Sequence, residues 1–397
     1  MIMANNSNKN KCNVPHLRFP EFSGEWEKNN LSKFSSKITK KNKGNVIQNV
    51  LCNSANLGII PQNDYFDRDI ANADNTDSYY IIEQGDFVYN PRKSTAAPYG
   101  PVNIYNGEKP GIISPLYLCF SVLNISPSFL FYRFKSSVWH PYVYSHGDTG
   151  VRFDRVSIKD DVFFDMPIYT PTQNEQEKIA TLLSLIDERI ATQNKIIEDL
   201  KKLKSAIIEK LYSDIKGREY SYRQIFEIVN ERNKQLEYLN ILSASQEKGM
   251  VNREDLNLDI QFERSNINTY KIVKEGDYVI HLRSFQGGFA FSDKHGVCSP
   301  AYTILRPNDL LEFRYLSYYF TSQRFIKSLI VVTYGIRDGR SINVEEWLDM
   351  KTIIPSKERQ HHIVETIRNI ENKIENEEKY ASCLSNQKQY LLHHLFI

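Results

Sequence analysis

Two stretches of the chain share one pattern of apolar and polar positions. Pro171 to Tyr212 aligns without a gap on Pro355 to Phe396, 184 residues further along. In both stretches apolar residues recur at steps of three and four, which places them on one face of a helix. These positions are Ile179, Leu183, Ile186, Ile190, Ile197, Leu200, Ile207 and Leu211 in the first copy, and Ile363, Ile367, Ile370, Ile374, Ala381, Leu384, Leu391 and Leu395 in the second. Each copy predicts a helix of roughly forty residues, about 60 Å long at ~1.5 Å per residue.

Several residues are identical in the two copies, and they include polar as well as apolar positions. The identities include Pro171/Pro355, Gln176/Gln360, Lys195/Lys379 and Lys204/Lys388. Thr172 and Glu175 form a capping-box pattern that predicts the start of the first helix. A narrow apolar seam on so long a helix needs a partner, and the other copy is the obvious one. The alternative is that each helix packs only on the domain that precedes it.

The segments that precede the two helices are also related. Gly85-Asp86-Phe87-Val88 matches Gly276-Asp277-Tyr278-Val279, and Gly111 to Tyr117 matches Gly296 to Tyr302. Short β-rich runs alternate with Gly, Pro and Asn turns, and aromatic-rich stretches read as short helices, so each segment is predicted to be an α+β domain. The predicted organisation is a disordered tail (1–13), a first domain (14–166), a central helix (167–215), a second domain (216–350) and a C-terminal helix (351–397).

Composition limits the class of protein. In 397 residues there is no run of eighteen apolar residues, so a membrane span is not expected. The five cysteines are scattered without metal-ligand spacing, which favours a reducing cytoplasm and argues against structural zinc. Six lysines and no acidic residue lie between Lys28 and Asn63, among them Lys37 and Lys41. This run is either an ordinary solvated loop or a surface that faces phosphates.

Loops at matching places in the two domains carry the side chains that nucleic-acid contacts require. Forked donors suit guanine, hydroxyls and lysines suit phosphates, and glycines let the backbone approach closely. Taken singly, each loop is also compatible with an ordinary surface, but their recurrence favours the binding role. The candidate DNA-binding residues are Lys37, Lys41, Arg92, Lys93, Ser94, Tyr99 and Arg152 in the first domain, and Arg283, Ser284, Gln286, Arg337 and Arg340 in the second.

Signs of catalysis are missing from the sequence. There is no Gly-x-x-x-x-Gly-Lys-Ser/Thr loop for phosphates and no Pro-Asp dipeptide of the usual nuclease site. Asn90-Pro91-Arg92-Lys93 lacks the second proline and the aromatic residue of an amino-methyltransferase motif. We therefore expect neither catalytic nor metal-binding residues in this chain.

Two α+β domains, each followed by a long helix that starts at Pro-x-x-x-x-Gln (Pro171 to Gln176, Pro355 to Gln360), resemble the specificity subunits of type I restriction–modification systems. The opening Val14 to Trp26 also resembles the start of such subunits. The resemblance covers about residues 14 to 397, and the duplicated helix is its most specific part. It implies two target recognition domains, separated by two long helices that form an antiparallel coiled coil, with a pseudo-twofold internal repeat.

The resemblance also implies the partners. A specificity subunit is non-catalytic and reads a bipartite double-stranded DNA sequence, one domain for each half. It docks two methyltransferase subunits and, in restriction complexes, the restriction/translocase subunits. S-adenosylmethionine, ATP and Mg are then expected on those partners and not on this chain. Two alternatives stay open at this point: a subunit that serves methylation alone, and a coiled-coil scaffold for protein interactions, whose binding would not depend steeply on salt.

Overall fold

The computed structural model describes residues 2–3, 13–65, 76–147, 154–245, 248–255, 264–281, 288–334 and 341–397. The chain divides into two compact units: the first is Met1–Gln193 with Tyr380–Ile397, and the second is Asn194–Lys379. The predicted disordered tail lies outside the described residues except for Ile2, Met3 and Asn13. Ile2–Met3 pairs with Leu17–Arg18 as a short antiparallel ribbon.

The described part of the first unit contains twelve strands and five helices that begin in it, together with the end of the last helix of the chain. The fifth helix continues into the second unit. The strands are β1 (Ile2–Met3), β2 (Leu17–Arg18), β3 (Glu27–Asn30), β4 (Ser35–Lys37), β5 (Val50–Ser54), β6 (Gly58–Pro61), β7 (Tyr80–Ile82), β8 (Phe87–Tyr89), β9 (Val102–Ile104), β10 (Gly111–Ile113), β11 (Leu118–Val122) and β12 (Pro167–Thr170). The helices are α1 (Gln62–Tyr65), α2 (Pro127–Lys135), α3 (His140–His146), α4 (Asp160–Phe164) and α5 (Gln173–Ser213), and Leu31–Lys33 forms a 3₁₀ turn.

The described part of the second unit repeats this plan. Its strands are β13 (Arg218–Ser221), β14 (Phe226–Val229), β15 (Leu242–Ser245), β16 (Gly249–Asn252), β17 (Lys271–Val273), β18 (Tyr278–Ile280), β19 (Phe289–Phe291), β20 (Gly296–Cys298), β21 (Thr303–Pro307), β22 (Thr333–Tyr334), β23 (Ser341–Ile342) and β24 (Lys351–Ile354). Its helices are α6 (Tyr222–Ile225), α7 (Tyr315–Tyr319), α8 (Gln323–Ser328), α9 (Val344–Asp349) and α10 (Lys357–His394), with 3₁₀ turns at Arg253–Asp255, Arg264–Thr269 and Leu329–Val332.

One antiparallel sheet occurs in both units with the same order. It runs β4-β11-β8-β9 in the first unit and β14-β21-β18-β19 in the second. Phe87 pairs with Ile104 in one sheet, as Tyr278 pairs with Phe291 in the other. The first unit adds a second sheet, β6-β5-β10-β7, while the corresponding strands of the second unit form the pairs β15-β16 and β17-β20. The predicted α+β repeat is therefore confirmed.

The core of each unit is closed by both long helices. In the first unit Ile179 and Leu183 near the start of α5 are buried in the same cluster as Leu395 and Phe396 at the C-terminal end of the chain. In the second unit Ile363 and Ile367 near the start of α10 are buried with Ile208 and Tyr212 near the end of α5. The predicted seam positions are all buried or half-buried. Each helix thus packs its start on its own domain and its end on the other domain's core.

The duplicated glutamine ties the start of each long helix to its domain. Gln176 accepts a hydrogen bond from the Ser126 N–H at 2.9 Å and donates to the Pro171 carbonyl at 3.0 Å. Gln360 accepts from the Glu312 N–H at 2.8 Å and donates to the Pro355 carbonyl at 3.0 Å. Both side chains are buried. The Pro-x-x-x-x-Gln spacing is explained because one amide side chain satisfies a backbone donor and a backbone acceptor that are shielded from water.

The duplicated lysine joins three parts of each unit. In the first unit Lys388 of α10 pairs with Asp187 of α5 at 2.5 Å, and Asp187 accepts from the Tyr132 hydroxyl at 3.0 Å. In the second unit the corresponding trio is Lys204, Glu371 and Tyr318. The Lys204–Glu371 and Tyr318–Glu371 distances are 3.1 and 2.7 Å. In both units the two helices and the domain's short helix therefore meet at one acidic side chain.

Glu175 has a different role from the predicted capping box. Its carboxylate accepts two hydrogen bonds, each of 2.8 Å, from the Arg18 guanidinium. The same guanidinium donates to the carbonyls of Ser23 and Gly24. Glu175 is fully buried and needs this partner, because a buried carboxylate without one would be destabilising. The pair attaches the N-terminal segment to the first turn of α5.

We predict that Gln176→Ala and Gln360→Ala each lower the free energy of unfolding by about 1–3 kcal/mol, since each leaves a backbone N–H and a carbonyl without a partner. Urea unfolding monitored by circular dichroism measures the change. Gln173→Ala is the matched control, because Gln173 is an exposed residue of the same helix whose bond is to Glu177. Equal stability of the Gln173 and Gln176 variants would contradict the assignment.

Candidate nucleic-acid interface

The loop that follows β8 has a closed neck. The Asn90 N–H donates to the Pro101 carbonyl at 3.0 Å, and the Asn90 side chain donates to the Asn53 carbonyl at 3.1 Å. Gly100 has φ +83°, and a Cβ there would lie 2.1 Å from the Asn90 carbonyl oxygen. A side chain at position 100 would therefore clash with backbone. The neck holds residues 91–99 as one defined loop.

Two arginines face each other at the base of this loop. Arg92 and Arg155 form an antiparallel bridge, flanked by the Lys93 N–H to Asp154 carbonyl bond and the Val156 N–H to Pro91 carbonyl bond, of 2.8 and 2.9 Å. Arg92 Nε lies 3.9 Å from the Asp154 carboxylate. Like charges directly opposite on neighbouring strands repel each other. The bridge therefore places two positively charged residues opposite each other, with the Asp154 carboxylate beside Arg92.

A cavity of about 290 Å³ adjoins the arginine pair, and Lys37, Tyr80, Pro91 and Tyr117 contribute to its wall. Lys41 pairs with Tyr80 in an isolated bridge, so it lies next to the same wall. Burial raises the pKa of Tyr117, and the charges of Arg155 and Arg92 oppose that shift. The structure thus brings Lys37, Lys41 and the Arg92 loop to one surface, called the basic surface below.

Two lysines of the acid-free run form ion pairs with acidic residues from other parts of the chain. Lys37 Nζ lies 2.5 Å from the Asp160 carboxylate, and this hydrogen bond raises the pKa of Lys37. Lys40 pairs with Glu83 at 3.9 Å. The Lys37 and Asp160 side chains are 41% and 47% exposed, so water screens their pairing. The run is consequently charge-balanced at these positions, and both interpretations of it remain compatible with the structure.

The remaining described candidates for DNA binding make contacts within the 91–99 loop or with the residues next to it. The Ser94 hydroxyl accepts from the Ala97 N–H at 3.1 Å, within a turn at the loop tip. Tyr99 is half-buried, with its ring centroid 4.7 Å from that of His140 and its carbonyl accepting from the Tyr89 hydroxyl. Lys93 is half-buried and fixed through its backbone N–H. Their contacts with DNA stay predictions.

The other candidates lie outside the described residues. They are Arg152, Arg283, Ser284, Gln286, Arg337 and Arg340. The residues that flank residues 282–287 are described: the His281 N–H donates to the Gly288 carbonyl at 2.8 Å. This bond corresponds to the one between Asn90 and Pro101. The two units therefore share the neck of this loop.

Arg155 is a residue that sequence reasoning missed. It is half-buried, and within the described ranges its Nε has no hydrogen-bond partner. Its position three residues after the predicted Arg152 was the available signal. The sequence could not show that it would stand opposite Arg92, because that depends on pairing between segments about sixty residues apart.

Comparisons with known proteins show which family this chain is similar to. Residues 218–382 match the model of the type I restriction modification DNA specificity domain. The chain is 26% identical over 315 residues to the type I restriction enzyme MjaVIII specificity subunit of Methanocaldococcus jannaschii, covering 72% of this chain and 70% of that protein. Residues 218–382 therefore carry the DNA specificity domain of type I restriction–modification systems, and the chain is similar to a specificity subunit of such a system over most of its length. These comparisons support a non-catalytic role in DNA recognition.

Solved structures share the fold along nearly the whole chain. A chain from the structural study of complex assembly and conformational transition of a type I R-M system aligns with TM-score 0.60 and 13% identity, covering 94% of this chain and 97% of its own. The S subunit from M. genitalium aligns with TM-score 0.52 and 14% identity, covering 97% and 99%. The HsdS subunit from Thermoanaerobacter tengcongensis aligns with TM-score 0.50 and 15% identity, covering 96% and 97%.

Two properties of the described residues bear on other classes of function. No group of three or more His, Cys, Asp or Glu side chains there is placed to hold a metal ion. None of the helices in this part of the chain combines the length and apolarity that crossing a membrane requires.

We predict that Lys37→Ala and Arg92→Ala weaken binding of the chain to all duplexes alike, because each would remove a positive charge that is expected to neutralise a phosphate. Each substitution should also lower the slope of log K against log salt by about one. Fluorescence anisotropy over a range of salt concentrations measures both effects. Lys33→Ala is the control, because Lys33 is also ion-paired but is not part of the basic surface. Unchanged slopes for Lys37 and Arg92 would remove the basic surface from the DNA interface.

Proposed function

We propose that this chain is a specificity subunit that binds a bipartite double-stranded DNA sequence, with the domain of residues 14–166 reading one half and that of residues 216–350 reading the other. The observation that carries the proposal is the repeat: each unit contains the same sheet, the same glutamine tie and the same lysine–acid–tyrosine trio. Two related readers on one chain suit half-sites on one face of the duplex, about one helical turn or 34 Å apart.

We further propose that α5 and α10 form an antiparallel coiled coil that sets the gap between the half-sites. Contacts inside each unit support this arrangement. In the first unit Arg189 of α5 donates to the Tyr380 hydroxyl of α10 at 2.7 Å, and in the second Lys201 pairs with Glu378 at 2.7 Å. In both units the start of one helix lies beside the end of the other, as antiparallel neighbours require.

The partners follow from the family and the repeat. We infer that two methyltransferase subunits dock on the two halves of the repeat, and that restriction/translocase subunits join them in a restriction complex. S-adenosylmethionine, ATP and Mg would then be bound by those partners. The described cysteines are free thiols, which suits assembly in the cytoplasm. A methylation-only complex would use this chain in the same way, and the neighbouring genes distinguish the two. Similarity to the specificity subunits makes a protein-only scaffold less favoured.

Exchanging the first domain tests whether each domain reads one half of the DNA sequence. Replacing residues 14–166 with the equivalent domain of a relative should change one half of the methylated sequence and leave the other half and the gap intact, because distant sites without shared partners act independently. Methylome sequencing of cells that carry the chimera with its methyltransferase measures this. The reciprocal exchange of residues 216–350 is the control. A change in both halves from either exchange would contradict the proposal.

Lengthening one helix tests the role of the coiled coil. Insertion of about four residues after Leu200 adds roughly one helical turn. It should lengthen the gap in the methylated sequence or abolish methylation, while any sequence still methylated keeps both half-sites. The same insertion in the exposed segment near Gly217, between α5 and β13, is the control and should leave the gap unchanged. An unchanged gap after the Leu200 insertion would exclude the helices as the spacer.

A further inference from the structure

A cleft of about 720 Å³ in the first unit is not used by the proposed function. It lies between the β5–β6 hairpin, β9, α2 and α10, and its lining includes Asn49, Asn103, Tyr105, Lys135 and Lys388. The volume is that of a small-molecule site. Its lining combines amide, phenol and two ammonium groups with apolar side chains such as Leu57 and Phe131, and its only charged lining groups within the described residues are cationic.

Lys135 is the unusual member of this lining. Its Nζ donates to Asn103 Oδ1 at 2.6 Å, and among the described residues no carboxylate lies within ion-pair distance of it. The side chain is half-buried, and this partial desolvation lowers the pKa of Lys135 to about 8. The charge of Lys388 adds to this shift, and the charge of Asp187 opposes it. The Phe131 ring, whose centroid lies 5.0 Å from Lys135 Nζ, offsets part of the cost, but a desolvated cation without an anionic partner is destabilising.

A chain of buried amides supports this ammonium. Asn103 donates to Asn53 Oδ1 at 2.6 Å and to the Ser54 carbonyl at 2.9 Å. Asn53 in turn donates to the Val88 carbonyl at 2.7 Å. Asn53 and Asn103 are buried, and each is satisfied by the next. The network ends at the cleft, where Lys135 is its outermost group.

The second unit shows that the fold does not need this network. Strand pairing makes Ala290 the equivalent of Asn103 and Ala244 the equivalent of Asn53. Ser126 and Glu312 are equivalent because their N–H groups donate to Gln176 and Gln360. Tyr132 and Tyr318 are equivalent because their hydroxyls donate to the helix acids. Both equivalences align α2 with α7 in the same register, so Thr321 corresponds to Lys135. The corresponding cleft measures about 220 Å³. The second unit therefore forms the same fold with two alanines at the positions of the two buried asparagines.

We propose that the cleft of the first unit binds a phosphate group, with Lys135 and Lys388 as its cationic ligands. Lysine is a frequent phosphate-binding residue, and a dianionic phosphate would relieve the unpaired charge of Lys135. Lys388 is already paired with Asp187, so the cleft carries one net positive charge to be matched. The phosphate belongs either to the backbone of bound DNA or to a free phosphorylated small molecule. Both sources present the same chemistry to the two lysines.

Titration calorimetry of the full-length chain with inorganic pyrophosphate tests the site. Lys135→Met should weaken binding about tenfold or more, because it removes a charge-assisted hydrogen bond. Lys135→Arg should bind as the native chain does. Lys109→Met is the matched control, since Lys109 is an exposed lysine of the same unit that is not part of the lining. Thermal unfolding should show Lys135→Met to be at least as stable as the native chain, because it removes a desolvated charge.

The pH dependence of pyrophosphate binding distinguishes a specific site at Lys135 from general electrostatic attraction to the chain. As pH rises through about 8, Lys135 loses its proton and pyrophosphate binding by the native chain should weaken. The Lys135→Arg variant stays charged, so its binding should change little over the same range. Lys388, Tyr105 and Asp187 are the other ionisable groups near Lys135, and they are the same in both variants, so the comparison isolates the charge at position 135.

Competition with duplex DNA identifies the source of the phosphate. If DNA displaces pyrophosphate, the cleft holds a backbone phosphate; if both bind together, it serves a free phosphorylated molecule. Binding that is unchanged in Lys135→Met, equally reduced in Lys109→Met, or not saturable would overturn the proposal. None of these results depends on the bipartite reading of DNA, since pyrophosphate binding is measured without methylation or partner subunits.

Discussion

The exchange of helix ends between the two units is the constraint on which this structure depends. Four apolar residues at the end of α10 or directly after it are at least nine-tenths buried in the core of the first unit, although α10 follows the second domain. They are Leu391, Leu392, Leu395 and Phe396. Full burial of such side chains contributes about 1.5–3 kcal/mol each. Four of them together contribute on the order of the whole 5–15 kcal/mol by which a domain is stable. Neither recognition domain is therefore complete without the helix of the other copy.

Hydrophobic burial alone does not fix how a helix is rotated on its domain, because it has no direction. Buried and half-buried polar contacts supply that direction. Gln176 and Gln360 fix the start of each helix, and the lysine–acid–tyrosine trios fix a point about three helical turns further on. A buried polar pair specifies one register at some cost in stability. The domains are thus oriented by a few hydrogen bonds and stabilised by many apolar contacts.

The features that depend on a local sequence pattern could be predicted from the sequence alone. The repeat, the two long helices and the apolar seam were predictable because helix periodicity is a property of neighbouring residues. Identity at Gln176/Gln360 and Lys204/Lys388 was also visible, but not its meaning. Lys204 contacts the acid of the other copy, Glu371, 167 residues away, and no local pattern encodes such a pairing. The same holds for Arg155 opposite Arg92, and for the role of Glu175, whose partner Arg18 lies 157 residues earlier.

The ion pairs on the basic surface suggest how a recognition subunit limits indiscriminate DNA binding. Lys37 and Arg92 each lie within ion-pair distance of an exposed acid, Asp160 and Asp154 respectively, in the free chain. Exposed pairs of this kind are worth only about 0–1 kcal/mol, so if these two residues contact DNA, a correctly placed phosphate would displace the acid at little cost. A duplex that does not fit the loops would leave the acids in place, and their charge would then repel its backbone. Because specificity is a difference between affinities, the acids would contribute to it by weakening the wrong complexes more than the right one.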